Sequence, residues 1–212
     1  MLTEPMPAEA VEAGRKRLGA AAEDLDANQV AALVLELAAE VGVAAVWQQV
    51  CVPLLGAFHG QAAAEIAVEH ALSEGVRIGL DVHGRERGRQ LPPDGVLLAG
   101  AEHEAHCLGL HALAAALREQ GRGCLLLGPA LPWAALASAV ARARPHTVLV
   151  WSQSPHTGRA YRLVRFGRDL PEVRVLGAGP GWIEPVPPPS VRLTTFAAAL
   201  AVCRTPPHLT HR

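Results

Sequence analysis

The sequence predicts an α/β protein with an all-α part at its N-terminus: a four-helix bundle followed by a Rossmann/flavodoxin-like parallel sheet with helices on both faces. Residues 7–80 show helical periodicity without strand-like runs. Residues 84–94 are charged and rich in glycine and proline, which is typical of a linker. After them, short apolar runs alternate with helical segments, the pattern of buried parallel strands. We therefore expect domains at residues 1–84 and 95–212, joined by a linker at 85–94.

The first domain should contain helices at residues 7–22, 28–41, 44–58 and 62–80. Asp24 or Asp26 can cap the second helix, and Gly42 can end it. Pro53 falls inside the third helix, where it should cause a kink or remove one hydrogen bond.

The second domain should contain a parallel sheet, because each apolar run is followed by a helix. Strands are expected at residues 96–99, 124–127, 147–151, 173–176 and 191–194, and helices at 111–119, 133–142, 161–166 and 196–202. Ligands of such sheets bind outside the carboxyl ends of the strands. The loops at that edge are 101–107, 128–132, 152–159 and 177–182.

Composition narrows the class of protein. Half of the 212 residues are hydrophobic and the formal net charge is −1, which gives no electrostatic reason to bind nucleic acid. The start of the chain lacks the features of a signal peptide, and no apolar run reaches the about 20 residues of a membrane span. The four cysteines form no CxxC pair, which argues against a zinc knuckle. We expect a cytoplasmic protein that does not associate with membranes.

One short motif, which begins in the loop at residues 101–107, contains residues that can bind a metal. It reads Glu104-x-His106-x-x-Gly109, with Leu108 at the start of the following helix. A neutral imidazole is a good ligand for a transition metal, and a carboxylate nearby can hold its other ring nitrogen. The competing interpretation is a solvent-exposed loop histidine.

Two further loops at the same edge carry small or polar residues. Ser152-Gln153-Ser154 follows the third strand, and Gly177-Ala178-Gly179-Pro180-Gly181 follows the fourth. Glycines let a bulky planar ligand approach the backbone, and serine hydroxyls can bond to heterocycle nitrogens. Taken singly, each is better explained as an ordinary turn or a polar strand end.

Taken together, these motifs and their order resemble a cobalamin-binding module over nearly the whole chain. The sequence is similar to the photoreceptor module of MerR-type light-dependent repressors, and to the cobalamin modules of methionine synthase and corrinoid methyltransferases. The resemblance implies that His106 replaces dimethylbenzimidazole as the lower axial ligand of cobalt, while the nucleotide tail enters a slot in the Rossmann domain. It implies these cofactor-binding residues there: Glu104, His106, Leu108, Gly109, Ser152, Ser154, Gly177, Gly179 and Gly181. Ser154 and Ala178 depart from the family pattern, which leaves the individual tail contacts open.

The residues that would cover the upper face of the corrin depart further from the family pattern. Family light sensors carry W-x9-E-H, and Glu69-His70 matches the final pair, but His59 stands in place of the tryptophan. The cofactor-binding residues that the resemblance implies in the bundle are Phe58, His59, Ile66, Glu69 and His70. His59 and Gly60 remove most of the apolar wall that a tryptophan would present to an adenosyl group, which argues against tight adenosyl capping. His59 is then a surface residue at a helix end, or His59 or His70 approaches cobalt, or the space holds another group, as photocobilins hold biliverdin.

The resemblance thus implies a light sensor, not an enzyme, that binds adenosylcobalamin or hydroxocobalamin, with biliverdin as a second chromophore in the photocobilin interpretation. Light would change bundle packing and so alter self-association, to a dimer or larger, or binding to an unidentified output protein. The alternative is a corrinoid protein that shuttles methyl groups between methyltransferases. MerR-type relatives begin with a DNA-binding domain; here nothing basic precedes the bundle, so no direct DNA binding is expected. A domain for another nucleotide is a weaker rival, since no GxGxxG follows the first strand.

Overall fold

The structure is a computed structural model that describes residues 6–58, 62–88 and 91–205. The chain divides into two compact units, Met1–Arg89 and Gln90–Arg212. Helices make up the first unit and a five-stranded parallel sheet with helices makes up the second, which confirms the predicted fold class. No helix within the described residues is both long enough and apolar enough to cross a membrane.

The first unit is helical throughout its regular structure. Its elements are α1 (Ala8–Glu23), α2 (Ala27–Val41), α3 (Val43–Val46), a π-helical segment (Trp47–Cys51), α4 (Val52–Leu55) and α5 (Ala63–Gly88). Asp26 caps α2, because its side chain accepts a hydrogen bond of 2.9 Å from the Gln29 amide. Gly42 ends α2 with φ of 84°, a left-handed conformation that suits glycine.

The helix expected at residues 44–58 changes its geometry within its length. The segment Trp47–Cys51 is π-helical, but the backbone stays helical through both of its junctions, so Pro53 lies inside a continuous helical run just after the π-helical segment. Helical structure then ends at Leu55, so Phe58 lies beyond it. The predicted cap residues His59 and Gly60 fall outside the described residues.

Helix α5 is longer than predicted and includes residues that we expected in the linker. It continues through residues 85–88, with Arg85 and Arg87 in its last turn, where their charge suits the helix dipole. Gly84, the first residue of the stretch that we interpreted as a linker, is instead a buried helical residue. The charged composition of this stretch was therefore a poor guide to its conformation.

Two glycines explain how closely α5 packs on α2. A Cβ added at Gly75 would lie 2.6 Å from the carbonyl oxygen of Ala27, and one added at Gly79 would lie 2.8 Å from that of Ala31. Larger side chains at either position would push the two helices apart.

The second unit alternates strands and helices. Its strands are β1 (Val96–Gly100), β2 (Leu125–Leu126), β3 (Thr147–Trp151), β4 (Arg174–Ala178) and β5 (Val191–Leu193), and its helices are α6 (Leu108–Glu119), α7 (Trp133–Ala143), α8 (Ala160–Asp169) and α9 (Phe196–Arg204). All pairings are parallel, in the order β2-β1-β3-β4-β5. The order changes direction between β1 and β3, and ligands of such sheets bind at that switch point.

The two faces of the sheet are built differently at the carboxyl edge. Val150 of β3 belongs to the core cluster that includes Leu136 of α7 and Leu163 of α8. Because side chains alternate along a strand, Trp151 points to the opposite face. There it lies in register with Gly100 of β1 and Ala178 of β4.

Candidate functional site

The loop that follows β1 is fixed by its own backbone. The Glu104 amide donates to the Ala101 carbonyl oxygen at 2.9 Å, and the Glu104 carbonyl oxygen accepts from the Ala130 amide at 2.8 Å. His103 adopts φ of 67°, a conformation that turns the chain sharply before Glu104. These contacts direct the side chain of Glu104 inward, where it is 1% exposed.

The buried carboxylate of Glu104 joins the loops after β1 and β3. Its Oε2 accepts hydrogen bonds from the amides of Gln153 at 2.8 Å and Ser154 at 2.9 Å, and from the Thr157 hydroxyl at 2.6 Å. Its Oε1 accepts one from the His106 amide at 2.9 Å and lies 3.1 Å from His106 Nδ1. Both oxygens are thus surrounded by donors, which is the environment of an ionised carboxylate.

These donors set the charge of Glu104. Burial alone would raise the pKa of this carboxyl, but the hydrogen bonds from Thr157 and from the amides of Ser154, His106 and Gln153 outweigh it and lower the pKa below its usual range. Glu104 is therefore ionised at neutral pH.

The ionised carboxylate decides which nitrogen of His106 carries the proton. A carboxylate only accepts hydrogen bonds, so Nδ1 must be the donor in the contact with Oε1. The side chain of His106 is 76% exposed, and the lone pair of Nε2 is left for a metal.

The thiol of Cys107, next to His106, is a poor metal ligand. Burial, with a contribution from the Glu104 charge, raises the pKa of the neighbouring Cys107 thiol to about 12, so this thiol stays protonated. No group of three or more histidine, cysteine or acidic residues capable of holding a metal occurs in the part of the chain that the structure describes.

The predicted serines stabilise the loop after β3. Ser152 is fully buried, and because the Thr157 proton goes to Glu104, the Ser152 hydroxyl is the donor to Thr157 Oγ1 at 2.7 Å, with the Ser154 carbonyl oxygen as a second acceptor at 2.9 Å. The Ser154 hydroxyl accepts from the His156 amide at 3.3 Å. Ser152 thus supports Thr157, which in turn holds Glu104.

The glycines divide between the two faces of the sheet. A Cβ at Gly109 would overlap the six-membered ring of Trp151, and one at Gly179 would lie 3.1 Å from Trp151 Cε2. A Cβ at Gly181 would overlap the Ser152 hydroxyl. Gly177 instead faces the α8 side, where a Cβ would lie 2.8 Å from Leu163. Leu108 is partly buried at the start of α6.

Three of the predicted residues of the bundle, Ile66, Glu69 and His70, lie on the early part of α5 in the first unit. Ile66 is 45% exposed and His70 is also exposed. Glu69 is partly buried and accepts a hydrogen bond of 2.7 Å from the Ser73 hydroxyl. Phe58 is partly buried beyond the end of α4.

Sequence reasoning missed two residues of this site. Thr157 donates the shortest hydrogen bond to Glu104, and Trp151 packs against two of the glycines. Both lie in or beside the loop after β3, which the fold places at the binding edge, so the position of that loop was the available signal.

Comparison with solved structures finds a protein whose fold this chain shares. The structure is similar to the monomethylamine corrinoid protein of Methanosarcina barkeri, with 15% sequence identity over 91% of this chain and 98% of that chain and a TM-score of 0.65. Weaker likenesses, each with a TM-score of 0.44, are to the methanol:cobalamin methyltransferase complex of the same organism (17% identity, 92% of this chain, 79% of that chain) and to a cobalamin-binding protein of Desulfitobacterium hafniense DCB-2 (14% identity, 92% and 97%). No protein-family model and no curated protein matches the sequence. The chain therefore shares the fold of the monomethylamine corrinoid protein.

Proposed function

We propose that this protein binds a corrinoid and that His106 is the lower axial ligand of its cobalt. The observation that carries the proposal is the pairing of the exposed His106 imidazole with the buried, ionised carboxylate of Glu104. The distance between His106 Nδ1 and Glu104 Oε1 is 3.1 Å. The fold shared with a corrinoid protein supports it. A corrin supplies four equatorial nitrogens, so one imidazole from the protein suffices on the lower side.

Each residue around His106 has a part in this. Glu104 keeps the proton on Nδ1 of His106. Thr157 and the loop amides keep Glu104 ionised and fix the position of its carboxylate. This makes Glu104 a positioning residue, because it acts through the imidazole. The corrinoid, when bound, supplies a cobalt centre able to carry an alkyl group.

The test is the spectrum of the protein loaded with aquacobinamide, a corrinoid without a nucleotide base. In the Co(II) state, nitrogen splitting in the electron paramagnetic resonance spectrum would then come from the protein. We expect that splitting in the wild type and its loss in His106→Ala. The matched control is His156→Ala, because His156 is another exposed histidine at the same edge. Equal splitting in wild type and His106→Ala would refute the proposed ligand.

We further propose that the corrinoid carries methyl groups between partner methyltransferases, the chain itself not being an enzyme. The likeness to the monomethylamine corrinoid protein supports this use. Methyl-loaded protein should then lose its methyl group to a thiol when a cobalamin-dependent methyltransferase is added. Retention of the methyl group with every such enzyme tested would count against this use.

A light sensor is the second candidate, because Glu69 and His70 match the sensor cap and His70 and Ile66 are exposed on α5. Its test is size-exclusion chromatography of adenosylcobalamin-loaded protein before and after green light, with and without biliverdin. A light-dependent change of oligomer size that His70→Ala abolishes would favour the sensor. Identical elution in dark and light would exclude the self-association mechanism.

A further inference from the structure

We infer that the indole of Trp151 selects the corrinoid that this protein takes, favouring one without the nucleotide side arm over complete cobalamin. The inference rests on the proposed function, since it takes His106 to bind cobalt from the lower side. It goes further by naming the chemical class of the cofactor and the residue that discriminates.

The nucleotide side arm of complete cobalamin needs a place in the protein when a histidine binds the cobalt. In complete cobalamin the nucleotide hangs from the lower face of the corrin, and its base can occupy the site that His106 would take. With His106 on cobalt, the base must leave the ring and enter the protein beside the histidine loop. Residues without a side chain are the natural places for such an entry, and Gly109, Gly179 and Gly181 stand at that edge.

The space beside those glycines is occupied by the protein itself. The six-membered ring of Trp151 lies against Gly109, and Cε2 of the same indole lies 3.1 Å from the Cβ position of Gly179. The Ser152 hydroxyl takes the space beside Gly181. The glycines therefore make room for Trp151 and for the loop after β3, and the cradle does not fit a nucleotide base.

Trp151 is the one bulky residue in its row across the three central strands. Its partners in register are Gly100 on β1 and Ala178 on β4. The indole nitrogen Nε1 is buried and has no hydrogen-bond partner among the described residues. Since a buried polar group without a partner is unfavourable, the indole contributes through the volume that it fills.

This arrangement predicts discrimination between corrinoids that share cobalt and ring. Aquacobinamide lacks the nucleotide and can bind with Trp151 in place. Hydroxocobalamin can bind through His106 only if the indole leaves its position between α6 and the loop after β4. We expect wild-type protein to bind aquacobinamide at least about tenfold more tightly than hydroxocobalamin.

The experiment is a pair of titrations of the full chain, followed by corrin absorption, with wild type and three variants. Trp151→Ala should bring the ratio of the two dissociation constants to about one or invert it, because it opens the cradle. Trp151→Phe should keep most of the preference for cobinamide, since phenylalanine fills much of the same volume. Trp133→Ala is the matched control, because it removes a partly buried indole that packs against Phe166, a residue of the opposite core cluster.

The outcomes separate this inference from the proposed function. Preference for cobinamide in wild type and Trp133→Ala, reduced in Trp151→Ala, supports the inference. Equal affinity of wild type for both corrinoids, with binding that His106→Ala abolishes, overturns it and leaves the proposed function standing. Failure of both corrinoids to bind wild type overturns both. If Trp151→Ala does not fold, the wild-type ratio and the Trp151→Phe ratio still decide the matter.

Discussion

Replacing Glu104 by glutamine tests the central feature of the site, an ionised carboxylate in a ring of donors. The two side chains have the same shape, but glutamine has one oxygen where glutamate has two. In glutamine, the side-chain oxygen should take the position of Oε2, because three donors point at that position. The NH₂ group then takes the position of Oε1 and faces the backbone amide and ring Nδ1 of His106. The amide N–H and the ring N–H of His106 then both face the glutamine NH₂ group, and none of the three has an acceptor at a position where the native side chain is 1% exposed.

The expected loss of unfolding free energy follows from these contacts. A hydrogen bond to a charged group contributes about 1.5–3 kcal/mol, and a buried donor left without a partner costs about 1–3 kcal/mol. One lost charged bond to the His106 amide, with three others weakened from charged to neutral, gives a destabilisation of about 3 kcal/mol. Thr157 and the loop amides keep a partner, so complete unfolding is not expected.

The assay is urea unfolding followed by tryptophan fluorescence. Three of the four tryptophans, Trp133, Trp151 and Trp182, lie in the second unit, so the signal follows the unit that holds Glu104. Glu172→Gln is the matched control, because it makes the same charge change at an exposed position. If the unfolding free energies of Glu104→Gln and Glu172→Gln agree within about 0.5 kcal/mol, the Glu104 carboxylate does not hold the two loops together.

The same variant should impair corrinoid binding by a separate route. A glutamine NH₂ group beside Nδ1 favours the tautomer with the proton on Nε2, which blocks the lone pair that a metal needs. We expect the affinity for aquacobinamide to fall by about 10–100-fold, the usual effect of losing such a supporting group. Unchanged affinity would show that the tautomer of His106 is set by something other than Glu104.

Three further predictions follow from other contacts. Thr157→Val should lower the unfolding free energy by about 1–2 kcal/mol in the same urea assay, because Glu104 loses its 2.6 Å donor; no change would show that the donor is dispensable. Since the folded-state pKa of Glu104 is lowered, its contribution to stability is complete above the ordinary pKa of 4.5 and lost as the pH falls through the folded-state value. Wild type should therefore lose more stability than Glu104→Gln as the pH is lowered below about 5, and parallel acid profiles would contradict this. Gly79→Ala should cost about 1–3 kcal/mol in thermal unfolding of the helical unit, as its Cβ would meet α2, whereas Gly19→Ala, with 3.9 Å to its nearest neighbour, should be neutral or stabilising.

The elements of the second unit were readable from periodicity, because parallel strands covered on both faces must be continuously apolar. Element ends were less readable. Gly84 and the charges after it suggested a linker, but the glycine is buried in α5 and the arginines suit the end of a helix. Local composition does not reveal whether a glycine breaks a helix or lets another helix approach.

The sequence by itself determined the fold class and the pairing of Glu104 with His106, since both depend on short-range order along the chain. Their shared loop is local, and its position at the sheet edge follows from alternation of strands and helices. Only the tertiary structure decided what surrounds them. Thr157 reaches Glu104 from 53 residues away, and Trp151 fills the space beside glycines that the sequence suggested were open to a ligand. Contacts between distant segments depend on register and packing, and a glycine in a sequence does not show which atoms occupy the space that it leaves.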